Sequence, residues 1–148
     1  MPATKRGGAN LHYTIDDLTP PWQTAPETVL FHHGIGTDHR IWSEWVPALA
    51  DTFRLVRMDV RGYGGSSAPG PEADWSMDDL ISDVIAVADA VGADRFHMVG
   101  ESLGGTATYA PAIAHPERLL SITPICASYE GAYIREVDHW RAELEATG

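Results

Sequence analysis

Apolar and polar positions alternate over residues 10–15, the two-residue period of a half-buried strand, and a Gly7-Gly8 turn precedes them. Residues 28–32, 53–58, 95–100 and 119–126 are short, mostly apolar runs bounded by turn-forming residues and read as buried strands. Between them the period lengthens to that of a helix. Residues 76–91 carry Leu80, Ile81, Val84, Ile85, Ala88 and Val91 on one stripe, with capping-box spacing at Ser76 and Asp79 and a Gly92 stop. Residues 41–50 predict a helix with Trp42, Trp45, Val46 and Leu49 on one face, which Pro47 must kink or restart. Residues 103–115 and 134–146 also read as helices, the latter with Val137, Trp140 and Leu144 on one side. Pro111 falls inside the former and should kink it, at a cost of ~3 kcal/mol if unrelieved. Residues 16–26, 34–38 and the Gly-rich stretch after Asp59 are connections.

Strands alternating with helices predict an α/β fold, a mostly parallel sheet with helices on both faces. At 148 residues the chain is one domain's worth, and 44% hydrophobic residues is ordinary globular composition. No apolar stretch is long enough for a membrane span, and no apolar run follows Met1–Arg6 to make a signal peptide. A net charge of −11 repels phosphate backbones and argues against a nucleic-acid partner. The single cysteine, Cys126, forms no internal disulfide or thiolate cluster and fits a cytoplasmic setting.

The chemistry centres on Gly100-Glu101-Ser102-Leu103-Gly104. A serine hydroxyl is a weak nucleophile unless it is exposed, held and deprotonated. Here a strand runs straight into a helix with Ser102 at the corner. Such a corner strains the serine backbone and brings its neighbours together, so Gly100 and Gly104 are needed to avoid clashes. The helix N-terminus then faces the place where negative charge develops, and the Leu103 N–H becomes an oxyanion donor by position. The second donor is expected from the Gly-rich loop after residues 28–32, where His33-Gly34-Ile35-Gly36 assigns it to the Ile35 N–H. His32 and His33 point to opposite faces of a strand, so they are not expected to share a metal, and His33 is expected to order the loop.

These residues resemble the α/β-hydrolase superfamily over nearly the whole chain. His33-Gly34 is similar to its oxyanion loop, residues 59–66 (DVRGYGGS) to its D-x-R-G-x-G-x-S loop, residues 100–105 to its nucleophile elbow, and residues 115–118 to the usual end of the next helix. By that analogy Asp59–Ser66 is architecture near the site, Arg61 braces a loop and His115 ends a helix. Residues 32–36, Trp42 and 137–141 look most like enol-lactone hydrolases and related small esterases. The resemblance implies a core over residues 1–133 and the start of a helical cap at 134–148.

The resemblance also implies a triad in the order serine, acid, histidine, with the last two beyond the sixth strand. They have no counterpart in these residues, so the fold reads as truncated after that strand. Glu130 is a candidate acid, against the simpler reading of a solvated loop glutamate. His139 is the one histidine after it and sits on the expected cap helix. The expected activity is hydrolysis of a small-molecule carboxylic ester or lactone through an acyl-enzyme at Ser102, with no metal or organic cofactor and little turnover by this chain alone. An unpaired sheet edge is expected to favour self-association.

Three alternatives stand beside this reading. One is a non-catalytic ligand-binding or pseudo-enzyme fragment of the same fold. Another is cofactor-free haloperoxidase-like or acyltransferase chemistry at the same elbow. The third is a dinucleotide binder built on Gly34-Ile35-Gly36, which lacks the third glycine because His39 stands there.

Overall fold

The computed structural model describes residues 2–6, 8–68, 70, 76–128 and 146. Its strands are β1 (Ala3–Arg6), β2 (Ala9–Asp16), β3 (Thr28–His32), β4 (Arg54–Met58), β5 (Phe96–Glu101) and β6 (Leu119–Ile125). They form one sheet in the order β1-β2-β4-β3-β5-β6. β3 to β6 run parallel, and β1 and β2 are antiparallel additions at one side. No helix among the described residues is long and apolar enough to cross a membrane.

The helices are α1 (Val46–Leu49), α2 (Met77–Ala90) and α3 (Leu103–Ala114). Strand alternation divides the core between two faces. Leu30, Val56, Met58, Phe96 and Met98 pack with Val84, Val87 and Ala88 of α2 on one face. Val29, Phe31, Leu55 and Val99 pack with Trp42, Val46 and Leu49 on the other. Every residue of β3 is buried, as a central strand covered on both sides should be.

Most element boundaries follow the hydrophobic pattern. The Ser76–Asp79 capping box forms, and Gly92 stands just beyond α2 at φ +68. Two segments differ. The helix expected over residues 41–50 is a 3-10 segment, His39–Trp45, followed by the single turn of α1, because Pro47 sits in the first turn of a restarted helix. Trp42 is buried against Phe31, but Trp45 remains about 40% exposed. β1 was not expected: four residues without an apolar run are strand because they pair with β2 at a sheet edge. α3 continues through Pro111, which lies in its last turn, and its ring is buried. The expected cap, residues 134–148, lies outside the described residues apart from residue 146.

A buried ion pair ties the loop after β4 to α2. Arg61 is bidentate to Asp83, Nε to Oδ2 and Nη2 to Oδ1, both at 2.6 Å, and both side chains are buried. This agrees with a bracing role for Arg61. Its guanidinium is held even more firmly protonated than usual by Asp83, against the opposing cost of burial. Removing one partner leaves the other charge uncompensated. Asp83→Ala is therefore expected to cost about 3–5 kcal/mol in chemical denaturation, and the double replacement Arg61→Met with Asp83→Leu to cost clearly less. Equal losses in the two would contradict the bracing account.

Candidate active site

Ser102 is the residue between β5 and α3, at φ +54 and ψ −116. That left-handed φ is unfavourable for a residue with a side chain and persists only where the surroundings over-determine it. They do so here. The Ser102 N–H donates to Ile125 O of β6 at 2.9 Å, and its carbonyl accepts from Thr106 N–H at 2.9 Å in the first turn of α3. The two glycines flanking the serine allow the turn to close. A Cβ on Gly100 would lie 2.7 Å from Gly105 N and nearer still to the Gly104 carbonyl. A Cβ on Gly104 would lie 2.6 Å from His32 Nδ1 and nearer still to the His32 carbonyl oxygen. The strand-turn-helix corner expected from the motif is thus present, and it is packed against the end of β3. No described residue hydrogen-bonds to Ser102 Oγ, nor does Ser102 cap α3 with its side chain.

The loop after β3 comes to the same place. A Cβ on Gly34 would lie 2.9 Å from Ser102 Cβ, so this glycine sets how closely the loop approaches the serine. His33 is fully buried and fixes the loop with both ring nitrogens: Nδ1–H donates to the Gly34 carbonyl at 2.7 Å, and Nε2 accepts from the Val60 N–H at 3.0 Å. That pattern requires the neutral ring. Thr37 Oγ1 also donates to the Gly34 carbonyl, at 3.0 Å. Ile35 and Leu103, the two residues whose N–H groups were expected as oxyanion donors, line one cleft of about 430 Å³ together with Gly62, Tyr63 and Ala68. Glu130, the candidate acid, and His139 lie outside the described residues.

Beneath the loops beside this cleft, Asp59 is a buried hub. Its fully buried carboxylate accepts the His39 N–H at 2.7 Å, His39 Nδ1 at 2.9 Å, His12 Nδ1 at 2.7 Å and the Gly65 N–H at 2.8 Å. The loop after β3, the loop after β4 and strand β2 therefore meet on one side chain. Burial alone would push the carboxyl up, but the hydrogen bonds from Gly65, His39 and His12 outweigh it and hold its pKa below the usual carboxylate range. His12, His39 and Asp59 also form a group that could hold a metal, with ligand atoms within 4.8 Å of one another. Yet both imidazole Nδ1 atoms sit at hydrogen-bonding distance from the carboxylate, closer than the roughly 3.3 Å expected between two ligands of one tetrahedral zinc. The spacing is that of a hydrogen-bonded clasp. The motif placed Asp59 near the site, but its partners are 47 and 20 residues away in sequence, and no local signal names them.

His32 lies on the α3 side of β3, fully buried. Its Nδ1–H donates to the His33 carbonyl at 2.9 Å, and its Nε2 has no partner among the described residues. Burial pushes its pKa down to about 4, against the backbone hydrogen bond, which favours the charged ring. Two pH windows follow. The native state refuses a proton at His32 that the unfolded chain takes up, so stability should fall by about 3 kcal/mol as pH drops from 6.5 towards 4. Asp59, with a depressed pKa, contributes stability that is present above the ordinary carboxylate range and is lost as pH falls through its own lower value. His32→Gln should flatten the first window in urea denaturation. Asp59→Asn should cost about 2–4 kcal/mol at pH 7 and progressively less below pH 4. An unchanged pH profile in either variant would contradict its assignment.

Comparison with known proteins agrees with this geometry. A profile described as the alpha/beta hydrolase fold matches residues 27–148. The 3-oxoadipate enol-lactonase 1 of Acinetobacter baylyi is 32% identical over 143 residues, 97% of this chain and 50% of that protein. Epoxide hydrolase B of Mycobacterium tuberculosis is 33% identical over 125 residues, 84% of this chain and 34% of that protein. The crystal structure of the enol-lactonase from Burkholderia xenovorans LB400 superposes with a TM-score of 0.74 at 30% identity, covering 82% of this chain and 45% of that one. The chain thus spans a third to a half of the length of these relatives. With a strained serine between strand and helix, a glycine loop closing on it and these matches, the chain belongs to the α/β-hydrolase fold family.

Proposed function

We propose that Ser102 is the acyl-forming nucleophile of a hydrolase for carboxylic esters or lactones. The observation that carries this reading is the serine held at φ +54 at the N-terminus of α3, beside a loop that Gly34 lets come within contact of it. In the proposed reaction Oγ attacks the carbonyl carbon and its proton passes to a base. The carbonyl oxygen becomes an oxyanion facing the Ile35 and Leu103 N–H groups. Collapse expels the alcohol, which takes up the proton, and water then releases the acid by the same path. The dipole of α3 favours the oxyanion as well.

No described residue hydrogen-bonds to Ser102 Oγ, and no base is assigned among them. With the acid and histidine of the expected serine-acid-histidine order not placed among the described residues, turnover of p-nitrophenyl acetate is expected to be feeble, at most about 10³–10⁴-fold above water from oxyanion stabilisation and binding alone. Rapid turnover that disappears in Ser102→Ala would show that the base is already in place. Irreversible labelling by an alkyl fluorophosphonate, mapped by mass spectrometry, tests the nucleophile itself. Modification at Ser102 that is abolished in Ser102→Ala is the expected result. A chain that binds ligands but never labels would favour the non-catalytic alternative.

A further inference from the structure

Glu101 directly precedes the elbow serine, and its carboxylate turns towards the oxyanion loop. A Cβ placed on Gly34 would have Glu101 Oε2 at 2.5 Å and Ser102 Cβ at 2.9 Å. A carboxylate oxygen and the nucleophile's side chain therefore converge on one spot at the base of that loop. Glu101 is half-buried, and no described residue hydrogen-bonds to its carboxylate or pairs with it. The other carboxylates nearby are satisfied: Asp59 accepts four hydrogen bonds, and Asp83 holds Arg61. A half-buried carboxylate without a described partner beside a reactive centre is available to a ligand. The described lining of the neighbouring cleft, Ile35, Gly62, Tyr63, Ala68 and Leu103, carries no charge. The chain as a whole adds a net charge of −11.

We propose that Glu101 is a specificity-determining residue, admitting esters or lactones whose acyl or alcohol arm is neutral or cationic and turning away those that bear a carboxylate. The proposal rests on Ser102 being the nucleophile. Its physical basis is the Coulomb interaction across a partly desolvated cleft, which bulk water and salt screen only in part. An ammonium brought to the base of the oxyanion loop gains a partner there, and a carboxylate meets a like charge.

Three fluorophosphonates of equal length, ending in methyl, trimethylammonium or carboxylate, test this on the full chain. Ser102 should be labelled about tenfold more slowly by the carboxylate probe than by the methyl probe, and fastest by the trimethylammonium probe. Glu101→Gln should bring the three rates within about twofold, whereas Glu101→Asp should keep the order. Unchanged rate ratios in Glu101→Gln would overturn the proposal. If no probe labels Ser102, the nucleophile reading fails separately, and the charge preference is decided by titrating butyltrimethylammonium and butyrate while following the Ile35 and Leu103 amide resonances. Saturable shifts with the cation alone, lost in Glu101→Gln, support the proposal. Equal responses to the two ions in both proteins overturn it.

Discussion

The contact that the rest of the site depends on is the near-collision of three backbone segments at the end of β5. Gly100, Gly104 and the His32 carbonyl lie so close that no side chain fits between them. This compression holds Ser102 at a φ that a serine would otherwise avoid. It also aims the free N–H groups of α3 at the serine's side of the turn. Strain on one residue is sustained by the burial of many, because β3, β5 and α3 are fixed by a core that fills both faces of the sheet.

A second constraint acts on the loops. In the proposed reaction, placing one chain segment over a serine is not enough: the loop after β3 has to hold its amide within about 3 Å of a developing charge. His33 does part of this by tying Gly34 to Val60, and Asp59 does the rest by accepting from His39 on one loop and Gly65 on the other. Arg61 then anchors the second loop to α2 through Asp83. Positioning therefore passes from the serine outward through a chain of buried polar groups. Glu101 departs from this pattern: its carboxylate has no partner among the described residues and lies against Gly34 of the loop after β3.

Local chemistry made much of this legible in advance. The strand runs over residues 28–32 and 53–58, the capping box at Ser76 and the glycine spacing about Ser102 each act over a few residues, so their consequences can be read in order. What escaped reading depends on partners far apart in the chain. β1 is the exception: its partner β2 is its sequence neighbour, and it escaped because its four residues carry no apolar run. Asp83, on the stripe of α2 that faces the core, is buried only because Arg61 reaches it. The clasp at Asp59 needs His12, which is 47 residues away, and the turn of Glu101 towards Gly34 needs two strands to be neighbours. The helix expected over residues 41–50 was instead divided by a local feature, Pro47, whose effect was visible but whose 3-10 outcome was not.

The proposed function is geometric at its centre: Ser102 would attack, and the Ile35 and Leu103 amides would receive the charge. The most direct measurement is a crystal structure of the chain after reaction with a short alkyl fluorophosphonate. The account predicts phosphorus bonded to Ser102 Oγ, with a phosphoryl oxygen about 2.7–3.1 Å from both the Ile35 and Leu103 amide nitrogens. A phosphonate on another residue, or a Ser102 adduct whose phosphoryl oxygen points away from both amides, would contradict it.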